Sequence, residues 1–322
     1  MYNLFVQSGD HCVSYFSYTG MNVFFPATFF LFGLVFGSFL NVCIYRLPRE
    51  ISVVSPRSFC PGCSAPILAY DNIPVLSWII LGGKCRNCGV RISGRYALVE
   101  LLTGGLFVLS YFAAGSVAEA VKLCVLSFLL IGLIFTDAET KLLPDLLTKP
   151  GIAAGLLFSL VVKVEGPAHF LLRAIENWRL LSLLNSLAGT ILGSAFILGV
   201  ALLYEAMRGV EGMGRGDVKL MALIGAFLGI TQTLLVLLLG SLIGSCFGLL
   251  LILRVWMKRL ARRRTRRPSE PAGQARRRAW QSATLVYRNF EIPFGVFLGT
   301  AALVSAFWGE AFVRWYRSFW IE

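Results

Sequence analysis

Charge is scarce in this chain. Only 15% of its 322 residues are Asp, Glu, Lys or Arg, whereas 57% are hydrophobic and the mean hydropathy is +0.72. A soluble domain carries about 25% charged residues, so the shortage argues for a single bilayer-embedded domain. Histidine is nearly missing, with His11 and His169 alone, which leaves little for Ser–His or Cys–His nucleophilic catalysis. Aspartate is confined to Asp10, Asp71, Asp137, Asp145 and Asp217. A basic n-region is lacking too. Residues 1–21 hold Asp10 and His11 ahead of the first apolar run, so the N-terminus does not read as a cleavable signal.

Long apolar runs are what the chain has in plenty. They lie near 22–45, 97–116, 118–136, 146–164, 184–206, 217–230, 232–256 and 291–312, most of them close to the roughly 20 residues that cross hydrocarbon. The predicted fold is therefore an all-α polytopic membrane protein of about eight transmembrane helices. The 217–230 run is short and contains glycine. Segment 46–96 holds Arg46, Arg49, Arg57, Lys84, Arg86, Arg91 and Arg95, and segment 257–290 holds "KRLARRRTRRPSEPAGQARRR". In an eight-span arrangement the two lie on one side, which the positive-inside rule makes the cytoplasm. Both termini then lie outside, as do His11 and His169.

Three regions follow: 1–45, an external N-terminus and first span; 46–96, a cytoplasmic module; and 97–322, a membrane core. Within the core, 166–186 forms an external insert and 257–290 a basic cytoplasmic loop. Phe170, Leu171, Ile175, Trp178 and Leu181 can share one helical face, so the insert is expected to lie flat on the membrane. The basic loop reads as a positive-inside anchor that attracts anionic lipid. An arginine run without interleaved aromatics reads bases poorly, so no nucleic-acid partner is expected.

The cysteines divide evenly. Cys12, Cys43, Cys124 and Cys246 lie in or near apolar segments and read as small hydrophobes. "CPGC" at 60–63 and "CRNC" at 85–88 give C-x2-C-x21-C-x2-C, close to the spacing of a four-thiolate zinc site. Each pair offers two sulfurs on one tight turn, and Gly62 and Gly89 suit those turns. A redox pairing is the alternative, but thiols on the cytoplasmic side stay reduced. Four protein ligands leave zinc no open position, so Cys60, Cys63, Cys85 and Cys88 point to a structural rather than a catalytic metal.

Two aspartates stand at span ends on the cytoplasmic side. Asp137 closes the third span and Asp217, in "GMGRGDVKL" (212–220), opens the sixth. Two carboxylates brought close share a proton, so one can deprotonate water while the other protonates a carbonyl oxygen. Helix-end fields alone would leave that proton on Asp137 and make Asp217 the base. Asp145 follows Pro144 and reads as a helix N-cap, a role open to Asp217 as well. Glycine allows the backbone near Asp217 conformations that other residues resist.

Taken together, the sequence resembles the type IV prepilin leader peptidases, bifunctional with an N-methyltransferase. The stretches that carry the likeness are "GSFLNVCIYRLP" (37–48), "CPGC…YDNIPVLSW…CRNCG…ISGRYALVELLTG" (60–105), "DAETKLLPD" (137–145), "GMGRGDVKL" (212–220) and "IPFGVFLG" (292–299). The resemblance implies an inner-membrane aspartic protease of the G-x-G-D type, with Asp137 and Asp217 as its catalytic pair. It implies cleavage after a glycine at the end of the leader of type IV prepilins or type II secretion pseudopilins, on the cytoplasmic side. It also implies methylation of the new N-terminal residue with S-adenosylmethionine, an activity associated with the zinc segment. No glycine-rich dinucleotide fingerprint marks the methyl-donor site. A family member with only one of the two activities is one alternative, and a transporter or proton channel that uses Asp137 and Asp217 is the competing class. It calls for acids near mid-bilayer rather than at span ends.

Overall fold

Every apolar run described becomes helix, because a backbone in hydrocarbon must satisfy its own hydrogen bonds. The computed structural model describes residues 23–167, 176–209, 214–266, 270–288 and 293–319. Its helices are α1 (Phe24–Arg46), the short α2 (Leu76–Ile80), α3 (Arg95–Ala113), α4 (Val117–Thr140), α5 (Asp145–Phe158), α6 (Trp178–Arg208), α7 (Arg215–Arg266), α8 (Ala272–Arg288) and α9 (Phe294–Ser318). Among the described residues there is no strand, only two isolated bridges. Local signals set the ends. Ser116 Oγ accepts the Glu119 N–H to cap α4, and Lys141, in left-handed conformation, closes it. Asn177 caps α6 and Gly209 ends it in the same left-handed way.

Six of these helices are long and apolar enough to cross a membrane: α1, α3, α4, α6, α7 and α9. The 52-residue α7 is two limbs. Gly229, with φ 73° and ψ 179°, interrupts it. A Cβ on Gly193 of α6 would meet Met221 O at 3.1 Å and Thr233 Cγ2 at 2.9 Å. Twelve residues of straight helix would separate those two atoms by about 18 Å. The chain therefore turns back on itself at Gly229. The predicted spans 217–230 and 232–256 are the two limbs, and the predicted span 146–164 contains the 14-residue α5.

The limbs of α7 form the centre of the bundle, packed on α6, α9 and α5, while α1, α3 and α4 make a neighbouring layer joined through α4 and α9. The core runs through Leu130, Leu133, Leu220, Leu223, Phe227 and Leu298. Small residues set the closest crossings, as is usual where lipid removes the hydrophobic drive between helices. A Cβ on Gly225 would lie 2.3 Å from the Gly189 carbonyl. Outside, Leu31, Phe36, Leu157, Ile191, Leu234 and Leu249 are all exposed, an apolar surface suited to lipid rather than water.

Two expectations change. The basic segment 257–290 is not a loop where it is described: α7 continues to Arg266 and α8 folds back on it. Ala275, Ala279 and Ala283, four residues apart, are buried in that contact, and Trp280 sits edge-on to Trp256 at 6.2 Å. Periodicity was hidden there by the density of arginine. The insert 166–186 is not one flat helix either. Phe170, Leu171 and Ile175 lie outside the described residues, while Trp178 and Leu181 open α6. Asp10, His11, Cys12 and His169 also lie outside them.

Candidate active site and metal centre

Three helix ends meet at one end of the bundle. Asp137 lies in the last turn of α4, Asp217 in the first turn of α7, and Gly295 and Val296 in the first turn of α9. Both acids are nearly enclosed, at 5% and 8% exposure. The Val296 N–H donates to Asp137 Oδ2 at 3.0 Å. A Cβ on Gly295 would stand 2.9 Å from Asp137 Oδ2 and 3.3 Å from Asp217 Oδ1. The two carboxylates thus flank a single point, and the space there exists because residue 295 has no side chain.

The glycines of "GRGD" serve another purpose than the one expected. Neither Gly214 nor Gly216 has positive φ. Gly216 is instead a point of close approach: a Cβ there would meet Leu143 Cβ and Cδ1 at 3.1 Å, so the loop after Asp137 packs directly on the turn before Asp217. Gly212 is outside the described residues. Asp145 is no N-cap. It is the first residue of α5, without a capping bond, and its carboxylate pairs with Lys149 at 2.7 Å and with Lys219. The Lys219 pair joins the motif of the first acid to that of the second.

The four predicted thiols come together. Their Sγ atoms all lie within 4.8 Å of one another, and Cys60 and Cys88 are 3.7 Å apart, near the ~3.8 Å edge of a tetrahedron with ~2.3 Å metal–sulfur bonds. Each pair sits on the same kind of hairpin. Cys60 N–H bonds Ala65 O and Cys85 N–H bonds Val90 O, both at 2.9 Å, with bridges Phe59–Pro66 and Lys84–Arg91 outside them. The left-handed residue is Ser64 in the first hairpin and Gly89 in the second. Gly62 instead lets the Val90 side chain approach.

The electrostatics suit a cation. The backbone N–H groups of Cys88 and Asn87 bring the Cys85 thiol down to about 7, and the Ala65 N–H lowers that of Cys63. The Val90 N–H favours a thiolate at Cys88 too, but desolvation and the three neighbouring sulfurs outweigh it and push Cys88 up to about 12. Four sulfurs this close cannot all ionise unless a positive ion sits among them, so the donor set fits a metal. Asp71 braces the two hairpins through a two-pronged bond to Arg86, at 2.7 and 2.8 Å. Cys43 and Cys124 are buried in the helices, as expected of small hydrophobes, whereas Cys246 is exposed on the apolar surface.

Residues 31–114 match the bacterial peptidase A24 N-terminal domain, and residues 124–249 match the type IV leader peptidase family. The chain belongs to the type IV leader peptidase family. A prepilin leader peptidase/N-methyltransferase of Aeromonas salmonicida is 34% identical over 314 residues, covering 90% of this chain and 92% of the relative. Those of Pseudomonas aeruginosa, at 31% over 90% of this chain and 92% of the relative, and of Klebsiella pneumoniae, at 43% over 64% and 87%, carry the same name. No solved structure matches. The family segment 124–249 includes both acids, and the N-terminal segment includes all four cysteines. Sequence reasoning gave no role to Gly295 and Val296. "IPFGVFLG" was visible, but nothing local indicates that its first turn meets residues 159 and 78 positions upstream.

Proposed function

We propose that this protein is an integral-membrane aspartic endopeptidase and N-methyltransferase. It removes the leader of type IV prepilins or pseudopilins, cutting after glycine, and then methylates the new N-terminal residue with S-adenosylmethionine. The observation that carries the peptidase reading is the pair of enclosed carboxylates facing one point above Gly295. The Val296 N–H already occupies Asp137 Oδ2, so Asp137 is the base that takes a proton from water, and Asp217 gives its proton to the scissile carbonyl oxygen. This reverses the order that helix-end fields alone suggest, because the N-terminus of α9 faces Asp137 and adds a donor that α4 itself lacks. The water oxygen bonds to the carbonyl carbon. As the C–N bond breaks, Asp137 passes its proton to the departing amine and one hydroxyl of the collapsing gem-diol returns a proton to Asp217.

The membrane placement goes with it. The hydropathy of the helices and the homologues support a multi-pass inner-membrane protein. We assign the end that bears the acids, the metal module and the basic α7–α8 hairpin to the cytoplasm, with both termini outside. Segment 46–96 then serves as the methyltransferase-associated module, and 97–322 as the peptidase core. Zinc suits Cys60, Cys63, Cys85 and Cys88 and would fix their two hairpins without entering the chemistry. S-adenosylmethionine, when bound, supplies an electrophilic methyl group. The arginine-rich hairpin meets anionic lipid, and no nucleic acid is required. A transporter is disfavoured, since acids at one end of the bundle form no path across it.

Replacement of either acid tests the assignment. Asp137→Asn and Asp217→Asn should each reduce leader release by at least about a hundredfold, with metal content and methylation of pre-cleaved pilin retained. Near-normal processing by either variant would show that the pair is wrongly identified.

A further inference from the structure

A cavity lies away from the two acids. It has a volume of about 730 Å³ and is lined only by residues between Ser38 and Glu100, from α1, the metal module and the start of α3. That size is typical of a site for a small organic ligand, ~300–1,000 Å³. The cavity falls wholly within the N-terminal domain match, 31–114, and outside the peptidase match.

Two polar groups in its wall are poorly served. Asn41 is 3% exposed. Its Nδ2 donates to Tyr96 O at 2.9 Å, which fixes the amide, and its buried Oδ1 has no hydrogen-bond partner among the described residues. Glu100 is 8% exposed and accepts the Val75 N–H at 2.7 Å and a hydrogen bond from Ser38, yet it forms no ion pair with Lys or Arg among the described residues. Of the four cations in the wall, Arg46 donates to the carbonyls of Ser52, Pro56 and Arg57 and Arg86 pairs with Asp71, while Lys84 and Arg91 also line the cavity but neither forms a salt bridge with Glu100 among the described residues. A buried acceptor without a donor and a buried carboxylate without a cation both cost free energy. A ligand that brings N–H donors and positive charge settles both. Tyr45, Trp78 and Tyr96 add aromatic surface to the same wall, which suits a cation or a flat heterocycle.

We infer that this cavity is the binding site of the methyl donor, a sulfonium-bearing amino-acid nucleoside, with Glu100 opposing its positive charge and Asn41 Oδ1 accepting an N–H from it. The assignment rests on the methyltransferase reading above. The metal module then bears on methylation without supplying a reacting group: Cys60 and Cys85 line the cavity, so their hairpins form part of its wall. Arg95, at the start of α3, bonds Glu139, two residues beyond Asp137.

The test is direct binding to the full-length enzyme in detergent, by equilibrium dialysis with S-adenosylmethionine and with S-adenosylhomocysteine, which lacks the sulfonium charge. Glu100→Gln keeps an acceptor for the Val75 N–H but removes the charge. It should weaken S-adenosylmethionine by about tenfold or more and S-adenosylhomocysteine much less, so that the preference between them falls. Asn41→Ala should weaken both. Metal content and thermal unfolding report whether each variant is folded. If either is not, photocrosslinking of labelled donor to the wild type decides, and label outside segment 38–100 overturns the site. A folded Glu100→Gln enzyme with unchanged preference also overturns it. So does competitive displacement of the donor by a cleaved-pilin peptide, which would give the cavity to the acceptor amine. Wild type that methylates while both variants bind normally leaves the activity standing and the site wrong. Wild type that neither binds nor methylates removes the methyltransferase reading and this site with it.

Discussion

Gly295→Ala should silence the peptidase while leaving the fold in place. The added Cβ would stand 2.9 Å from Asp137 Oδ2, 3.1 Å from its Cγ and 3.3 Å from Asp217 Oδ1. Those atoms are held, not loose ends: Asp137 Oδ2 accepts the Val296 N–H at 3.0 Å and both side chains are enclosed. Relief therefore needs the carboxylates to part by several tenths of an ångström or the first turn of α9 to shift. Overpacking of this kind costs about 1–3 kcal/mol. The methyl also occupies space that substrate and water must enter, and a displacement of about 1 Å at a reacting centre can cost about a hundredfold in rate. We expect kcat for leader release from a prepilin to fall by about a hundredfold or more, with methylation of pre-cleaved pilin retained. Gly299→Ala, one turn along, is the control. Its Cβ would meet Ile134 Cγ1 at 2.6 Å and no carboxylate, so it should lower the unfolding temperature by a similar amount yet keep most of the activity. Wild-type kcat in folded Gly295→Ala, or an equal loss in both variants, would refute the reasoning.

Other perturbations have different signatures. Cys60→Ser should lower metal content and make 46–96 susceptible to limited proteolysis, because serine cannot supply the fourth thiolate. Full metal occupancy with a normal digestion pattern would count against the four-cysteine site. Arg86 holds the Asp71 carboxyl below its usual range. Its contribution is thus complete above the ordinary carboxylate value of about 4 and disappears only as pH falls through the lower folded value. Asp71→Asn should loosen the module about equally at pH ~5 and pH ~8, and a loss seen only at the higher pH would contradict the pairing. Asp145→Asn breaks two partly exposed ion pairs, of the solvent-screened kind that adds little to stability. Thermal unfolding should change little and cleavage should continue, whereas a dead enzyme would give Asp145 a chemical role.

The sequence made some of this legible for clear physical reasons. Apolar runs must become helices in hydrocarbon, so the helical segments were readable, although six of the described helices, not eight, are long and apolar enough to span. The cysteine spacing indicated the metal cluster because each pair acts through a local turn. Asp137 and Asp217 could be singled out because acids at span ends are few. Contacts formed only by packing stayed hidden. Nothing near Asp137 announces Val296, 159 residues away, or shows that Gly216 meets Leu143. Asp145 looked like a cap because its partner Lys219 lies in another motif. The amphipathic α8 was masked by the surrounding arginine runs, and its packing face is the alanines Ala275, Ala279 and Ala283.

The brevity of α5 has a consequence for the lipid around the enzyme. Its 14 residues rise about 21 Å, against a hydrocarbon thickness of about 30 Å. One of its faces is not shielded by protein: Leu146 and Leu157 are 70% and 65% exposed. Acyl chains touching this flank meet a hydrophobic mismatch, and the bilayer responds to a short helix by thinning locally. α5 begins at Asp145, beside the loop that packs on the turn before Asp217, so the dimple forms next to the acids. Lipid compression would lower the membrane surface towards the scissile bond on that side, letting water reach a peptide that elsewhere along the perimeter would be covered by acyl chains.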